Sequence, residues 1–344
     1  MIEVGLVAAR SLHFAVVMAL FGLALFPLYS RPSRTSVLPA RVSRWLRTSI
    51  RCATLFGLLS ALAWAWFAIA GMTGTMMAAA DADSLFTVLR ETSFGMAWVA
   101  RLALGVVLLA LTMRRSGEHH PDWAIVWLAG LLLASLALVG HTQTSDDALW
   151  VAHMSADGAH LLAAGAWLGG LLALGYLLML VRRFPSADHN AQAIAALIRF
   201  SGVGYAAVAI LIGSGLVNAW ALVGSPVRLT MTPYGQLLLL KVCLFAGMLA
   251  LAAQNRFRLV PALQRSKEGR VAAESSLHVL RRNVIGEQML GLAIVLIVGW
   301  LGTCNPRSTH CSEPCRSAAS ILWILGVALC RTADSKDPSP ATPV

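Results

Sequence analysis

The chain has 344 residues, 58% of them hydrophobic and 12% charged, with a formal net charge of +11. Soluble domains carry about 25% charged residues, so this composition excludes a single water-soluble core and calls for bilayer-spanning stretches of about 20 residues. The basic balance does not point to nucleic acid, because most of the arginines sit in short loops between apolar runs, which is how membrane topology is written into sequence.

Eight apolar runs follow in chain order: 6–29, 52–71, 94–113, 123–140, 151–181, 200–223, 235–253 and 284–303. A backbone in lipid must satisfy its own hydrogen bonds, so each run reads as a helix. The expected fold is all-α, a polytopic bundle of about eight spanning helices occupying residues 1–303. Met1–Arg10 shows neither a basic n-region nor a small-residue cleavage site, so the first run reads as a retained helix. Cys52 and Cys243 fall on apolar runs and read as packing residues. There is no internal repeat, no coiled-coil heptad and no CxxC.

The loops give an orientation. The odd-numbered loops carry Arg31, Arg34, Arg41, Arg44, Arg47, Arg51, Arg114, Arg115, Arg182, Arg183, Arg199 and a basic seventh loop from Arg256 to Arg282, whereas the even-numbered loops hold only Arg90 and Arg228. This asymmetry predicts cytoplasmic odd loops. The N-terminus and the loops near 72–93, 141–150 and 224–234 then face the other side, the periplasm in a Gram-negative cell.

Imidazole and thioether groups gather toward that outer side. His13 lies in the first helix, His141 ends the fourth, and His153, Asp157 and His160 open the fifth. Met72, Met76 and Met77 follow the second helix, with Met96, Met154 and Met231 near the same level. Thioether sulfur favours Cu(I), and imidazole suits both copper oxidation states. His153, Asp157 and His160 are spaced i, i+4, i+7 and share one helical face, which Trp167 continues two turns deeper. Ionisable groups in a membrane helix face a polar cavity or the bundle interior, where Asp157 would ligate a metal or orient a ligating imidazole. The candidate metal set is therefore His13, His141, His153, His160, Asp157, Met72, Met76 and Met77.

Each of these residues also has a bland reading. A lone histidine near a helix end is commonly an interfacial hydrogen-bonding group, and Met18, Met113, Met179, Met248 and Met289 fill gaps in apolar helices. His119, His120, His189 and His278 fall in the cytoplasmic loops. Arg10, Arg101 and Lys241 interrupt apolar runs, either snorkelling to headgroups or pairing with Asp157. Glu287, Gln288 and Asn218 either line a hydrophilic path or bridge helices. Gly169, Gly170, Gly213 and Gly215 read as close-packing positions between helices.

Several stretches resemble the copper resistance protein D family, the CopD/PcoD type of inner-membrane protein. They are HMSADGAHLLAAGAWLGGLLAL (153–174), RFSGVGYAAVAILIGSGLVNAW (199–220), YGQLLLLKVCLF (234–245), AAQNRFRLVPAL (252–263) and GEQMLGLAIVLIVGWLGT (286–303). They agree in order and spacing, and the likeness is strongest over 150–303. The resemblance implies a protein of copper homeostasis that moves copper from periplasm to cytoplasm, with a small periplasmic copper-binding partner of the CopC type. It also implies that the family's His-rich outer face falls on His13, His141, His153 and His160. The tail from 304 to 344 departs from the family pattern. It is rich in cysteine, with His310, Cys311 and Cys315 close together in a set that also reads as a metal site, then holds an apolar run (318–330) too short to span. It reads as a divergent or frame-shifted end closing in a disordered DSKDPSPATPV.

Three other functions compete. A b-type cytochrome would use histidines from different helices as haem ligands, but the methionine-rich loop favours copper. An enzyme using Asp157 and His160 as acid and base lacks a matching nucleophile. A structural subunit would only dock a periplasmic copper carrier. No P-loop and no DKTG phosphorylation motif is present, so the sequence offers no ATP-driven step.

Overall fold

The computed structural model describes residues 1–30, 38–114, 122–139, 148–184, 187–223, 226–265 and 270–303. The candidate ligand His141, the loop histidines His119 and His120, and the whole 304–344 tail fall outside them. Among the described residues every element is helical: α1 Ile2–Ser30, α2 Ala40–Thr73, α3 Ala82–Glu91, α4 Ser93–Arg114, α5 Trp123–Ala134, α6 Ala148–Arg183, α7 Ala187–Val223, α8 Pro226–Met231, α9 Pro233–Gln254, α10 Val260–Arg265 and α11 Arg270–Leu301.

Seven of these regions are long and apolar enough to cross a membrane, and Trp123–Leu138 is a shorter apolar helix. The fourth apolar run thus differs from the others. Its 12 α-helical residues pass into a five-residue 3₁₀ turn, Ser135–Val139. At 1.5 Å per α residue and 2.0 Å per 3₁₀ residue the pair reaches about 28 Å, close to a hydrocarbon core of about 30 Å. Stretching the last turn lets a short run approach full span.

Local chemistry sets the ends. α2 stops at Gly74, whose positive φ of 83° closes the last turn with an N–H bond to the Ala70 carbonyl. α9 starts after Thr232, whose hydroxyl accepts the Gly235 N–H at 3.0 Å, with Pro233 at the first helical position. α9 does not end cleanly: Asn255–Leu259 forms a π-helical turn leading into α10.

α1 and α6 form the centre. α1 packs on α2, α5, α6, α7 and α11, and α6 packs on α1, α5, α7 and α11. Their backbones touch. A Cβ placed on Gly22 would lie 2.4 Å from the Gly165 carbonyl oxygen and 2.5 Å from Gly169 Cα. One placed on Gly165 would lie 3.5 Å from Met18 Cα. Met18 facing Gly165 and Gly22 facing Gly169 means that the two helices run parallel. His13 and His160 stand equally far back along each, so they share one depth. The glycine expectation holds at Gly169 and Gly170 but fails at Gly213, around which nothing lies within 4 Å. The cysteine expectation also fails, since Cys52 and Cys243 are both exposed on the outside of the bundle.

By contrast, α7 and α9 barely meet, so α6 and α11 floor a cleft between them. The end at which α1 begins is called the upper end below.

Gly22→Val and Gly169→Val are each expected to lower the unfolding midpoint of the purified protein sharply. The added methyls would have to push two backbones apart, and overpacking costs about 1–3 kcal/mol or more. Gly213→Ala is expected to leave the midpoint unchanged or raise it, because alanine is the better helix former by about 1 kcal/mol. Thermal unfolding in detergent checks both outcomes.

Candidate functional site

Two polar clusters occupy the upper half, one on each side of the α1–α6 pair. The first surrounds His13, which is 1% exposed. Ser60 of α2 gives its hydroxyl proton to the Gly57 carbonyl at 3.1 Å, so its oxygen is left to accept the His13 Nδ1–H at 2.9 Å. That makes Nε2 the lone-pair nitrogen, and it accepts from the Arg101 guanidinium at 2.8 Å. Arg101 is itself 4% exposed and also donates to the Leu132 carbonyl at 3.1 Å and to the Ser135 hydroxyl. Trp64 and Trp98 wall the imidazole at 5.6 and 6.1 Å, and Arg101 lies over Trp98 at 5.2 Å. Arg101 therefore neither snorkels nor pairs with Asp157; it latches the one free electron pair of His13. Nε2 can take a metal ion only after Arg101 releases it.

The second cluster lies between α6, α7 and α9. Ser214 gives its proton to the Ile210 carbonyl at 2.5 Å, and its oxygen accepts the His160 Nδ1–H at 2.9 Å. The tautomer is the same as at His13, but no donor among the described residues takes the Nε2 lone pair. One turn higher, Asn218 of α7 donates to the Asp157 carboxylate at 3.2 Å. Lys241 of α9 stands within coulombic range of both His160 and Asp157, and Tyr234 within range of Asp157. Of the three residues expected to share one face of this helix, Asp157 and His160 both meet α7. His153, a further turn up, is buried at 7%.

The remaining candidates stand apart. Met72, Met76 and Met77 are 59%, 37% and 86% exposed at the end of α2. Met72 lies twelve residues beyond Ser60, about 18 Å above the depth of His13. Met154 packs against the core formed by α1, α4 and α5. His13 and His160 share a depth but turn to opposite sides of the α1–α6 pair, so they do not face each other across a haem plane. Among the described residues no three His, Cys, Asp or Glu side chains converge as a metal-binding group.

Sequence reasoning missed Ser60, Ser214 and Tyr234, which set tautomers and charge rather than supply ligands. Serines in an apolar helix carry no pattern of their own. Their signal was indirect, in that each histidine buried in lipid needs one nearby hydroxyl or carbonyl to hold its N–H.

Two family profiles match the chain: "Copper resistance protein D-like, N-terminal domain" over residues 1–151 and "Copper resistance protein D" over residues 194–301. Among curated proteins, the inner membrane protein YebZ of Escherichia coli (strain K12) is 30% identical over 301 residues, covering 87% of this chain and 98% of the relative. Copper resistance protein D of Pseudomonas syringae pv. tomato is 31% identical over 316 residues, covering 88% and 96%. Copper transport protein CutJ of Bacillus subtilis (strain 168) is 32% identical over 256 residues, covering 72% and 46%. No solved structure matches the chain. His13, Ser60 and Arg101 fall within the first profile, and Ser214, Asn218, Tyr234 and Lys241 within the second. His153, Asp157 and His160 lie in the stretch between them.

His13→Ala is expected to destabilise the protein without any copper present. It leaves the buried Arg101 guanidinium without the acceptor for one of its N–H groups, at about 1–3 kcal/mol for a buried group left unsatisfied. His160→Ala is expected to cost less: Ser60 and Ser214 each keep their backbone bond in the two variants, and among the described residues no guanidinium rests on the His160 ring. Unfolding midpoints of the two metal-free variants, measured side by side, check the order.

Proposed function

The chain belongs to the copper resistance protein D family, and from that membership we propose that it moves copper ions across the inner membrane, from periplasm to cytoplasm, along the cleft between α7 and α9. The relatives support this by what their names carry: an inner-membrane location, copper resistance and copper transport. The observation that carries the site assignment is the His160 Nε2, which no donor among the described residues takes, on a ring held by Ser214 and set beside Asp157.

In this reading the upper end faces the periplasm, where the basic-loop asymmetry puts it. A periplasmic copper-binding protein of the CopC type delivers the ion. The exposed thioethers of Met72, Met76 and Met77 take it first, since soft sulfur holds Cu(I) well and releases it to nitrogen donors nearby. His141 and His153 bring it to the mouth of the cleft, and His160 receives it through Nε2. Asp157 offsets the positive charge of the ion in a half-buried site. Lys241 stands in for that cation when the site is empty, and its flexible four-carbon stem lets it swing aside when copper arrives. His13 acts as a second imidazole, available only when Arg101 lets go. The chain itself supplies no ATP-driven step, so the ion moves down its own gradient, with the membrane potential, or against a counter-ion.

Purified protein loaded with copper and the His153→Ala/His160→Ala variant, compared by metal analysis, test this reading. The variant is expected to hold several-fold less copper. Ser214→Ala, which removes the group holding the His160 ring, is expected to weaken copper affinity by about 10–100-fold. Unchanged copper content in the double variant rejects the site.

A further inference from the structure

A second polar group lies lower in the same cleft, with no histidine, cysteine or methionine in it. Glu287 of α11 is 2% exposed. Its two carboxyl oxygens accept from neutral donors, Asn255 Nδ2 at 2.7 Å and Trp167 Nε1 at 3.3 Å. Asn255 sits at the start of the π-helical turn, and its carbonyl oxygen accepts from Asn283 at 2.9 Å, which also donates to Gln254 at 2.8 Å. The π turn is what presents Asn255 to the carboxyl, and π-bulges of this kind recur at functional sites. Glu287 and Asn255 line a cavity of about 110 Å³ between α6, α7, α9 and α11. Such a space admits water, given polar partners.

An ionised carboxylate buried in apolar surroundings is costly unless a cation balances it. Among the described residues no cation forms an ion pair with Glu287. The titratable or charged groups facing this cavity are Tyr205 from α7 and Arg256 from the π turn. α6 presents Trp167 and apolar side chains, α9 presents Leu249, Ala252 and Ala253, α10 presents Val260, and Tyr29 of α1 stands behind the wall residue Phe200 with their rings 6.2 Å apart.

We propose that Glu287, held by Asn255, Asn283 and Trp167, is a proton-binding site in the lower half of the cleft, distinct from the histidine cluster above it. The cation it takes is a proton, which needs one carboxyl lone pair, whereas the further side-chain oxygens among the described lining residues are those of Ser201, Tyr205 and Asn255, too few for the roughly six that a hard metal ion takes. The proton enters and leaves through the cavity, forming and breaking a single O–H bond on the carboxyl with no other bond changed. Trp167 links the two levels: it is two turns below His160 on α6, about 10 Å, and its indole N–H rests on the carboxyl. A proton site at the foot of a cleft that a copper ion descends is where a proton gradient would be coupled to that ion. This coupling rests on the copper reading, whereas the proton site does not.

Infrared difference spectroscopy of the purified full chain between alkaline and acid buffers, without copper, tests the site. Wild-type protein is expected to show the carbonyl band of a buried protonated carboxyl, and Glu287→Gln is expected to lose it. Asn255→Leu keeps the carboxyl and removes one donor, so it is expected to shift the band, and it serves if Glu287→Gln does not fold. A wild-type spectrum without the band, a band unmoved in both variants, or a band that follows sodium rather than pH overturns the proposal. A separate measurement of copper uptake into vesicles with and without a pH gradient reads the coupling. Uptake insensitive to the gradient in a protein that keeps its band sinks the coupling and leaves the proton site standing.

Discussion

The backbone contact between α1 and α6 organises everything above it. Gly22 meets Gly165 and Gly169 at a distance that no side chain allows, and lipid offers no hydrophobic force to hold helices together in its place. Close approach substitutes packing for that missing force. It also fixes a parallel register in which His13 and His160 stand at one depth. Ser60 and Arg101 bond to the first ring and Ser214 to the second.

At that depth the same local device is used twice with opposite results. A serine one helix away spends its proton on its own backbone and offers its oxygen to the histidine Nδ1–H. This pins the ring and leaves Nε2 as the electron-pair donor. On the α2–α4 side, Arg101 occupies that pair. On the α7–α9 side, nothing among the described residues does, and Asp157 with Lys241 supplies balanced charge beside it. The difference between a locked imidazole and an available one thus comes from a single buried guanidinium, not from the histidines themselves.

Much of the fold was legible in the sequence because lipid imposes a simple rule: apolar length means helix. The eight runs reappear as seven long helices and one short one completed by a 3₁₀ turn. The face shared by Asp157 and His160 followed from helical spacing alone, and the family from motifs such as HMSADGAHLLAAGAWLGG. Other features were not legible. Spacing cannot say that His13 turns toward α2 while His160 turns toward α7, because helix rotation is set by tertiary contacts at Gly22 and Gly169. Nor could it separate Gly169, which packs on backbone, from Gly213, which faces open space. The thioethers of Met72, Met76 and Met77 looked level with the histidines in a linear reading, yet the antiparallel run of α2 carries Met72 well above them. Glu287 was visible as a charge in an apolar run, but its partner Asn255 is delivered by a π turn that no periodicity announces.

The most direct measurement is nitrogen NMR of the full chain carrying labelled histidine, recorded before and after addition of silver(I) as a stable stand-in for Cu(I). The account predicts that His160 carries its proton on Nδ1 and that its Nε2 resonance moves on metal addition, while His13 stays unmoved behind Arg101. A shift at His13 with His160 unchanged, or a His160 ring protonated on Nε2 in the metal-free protein, would contradict it.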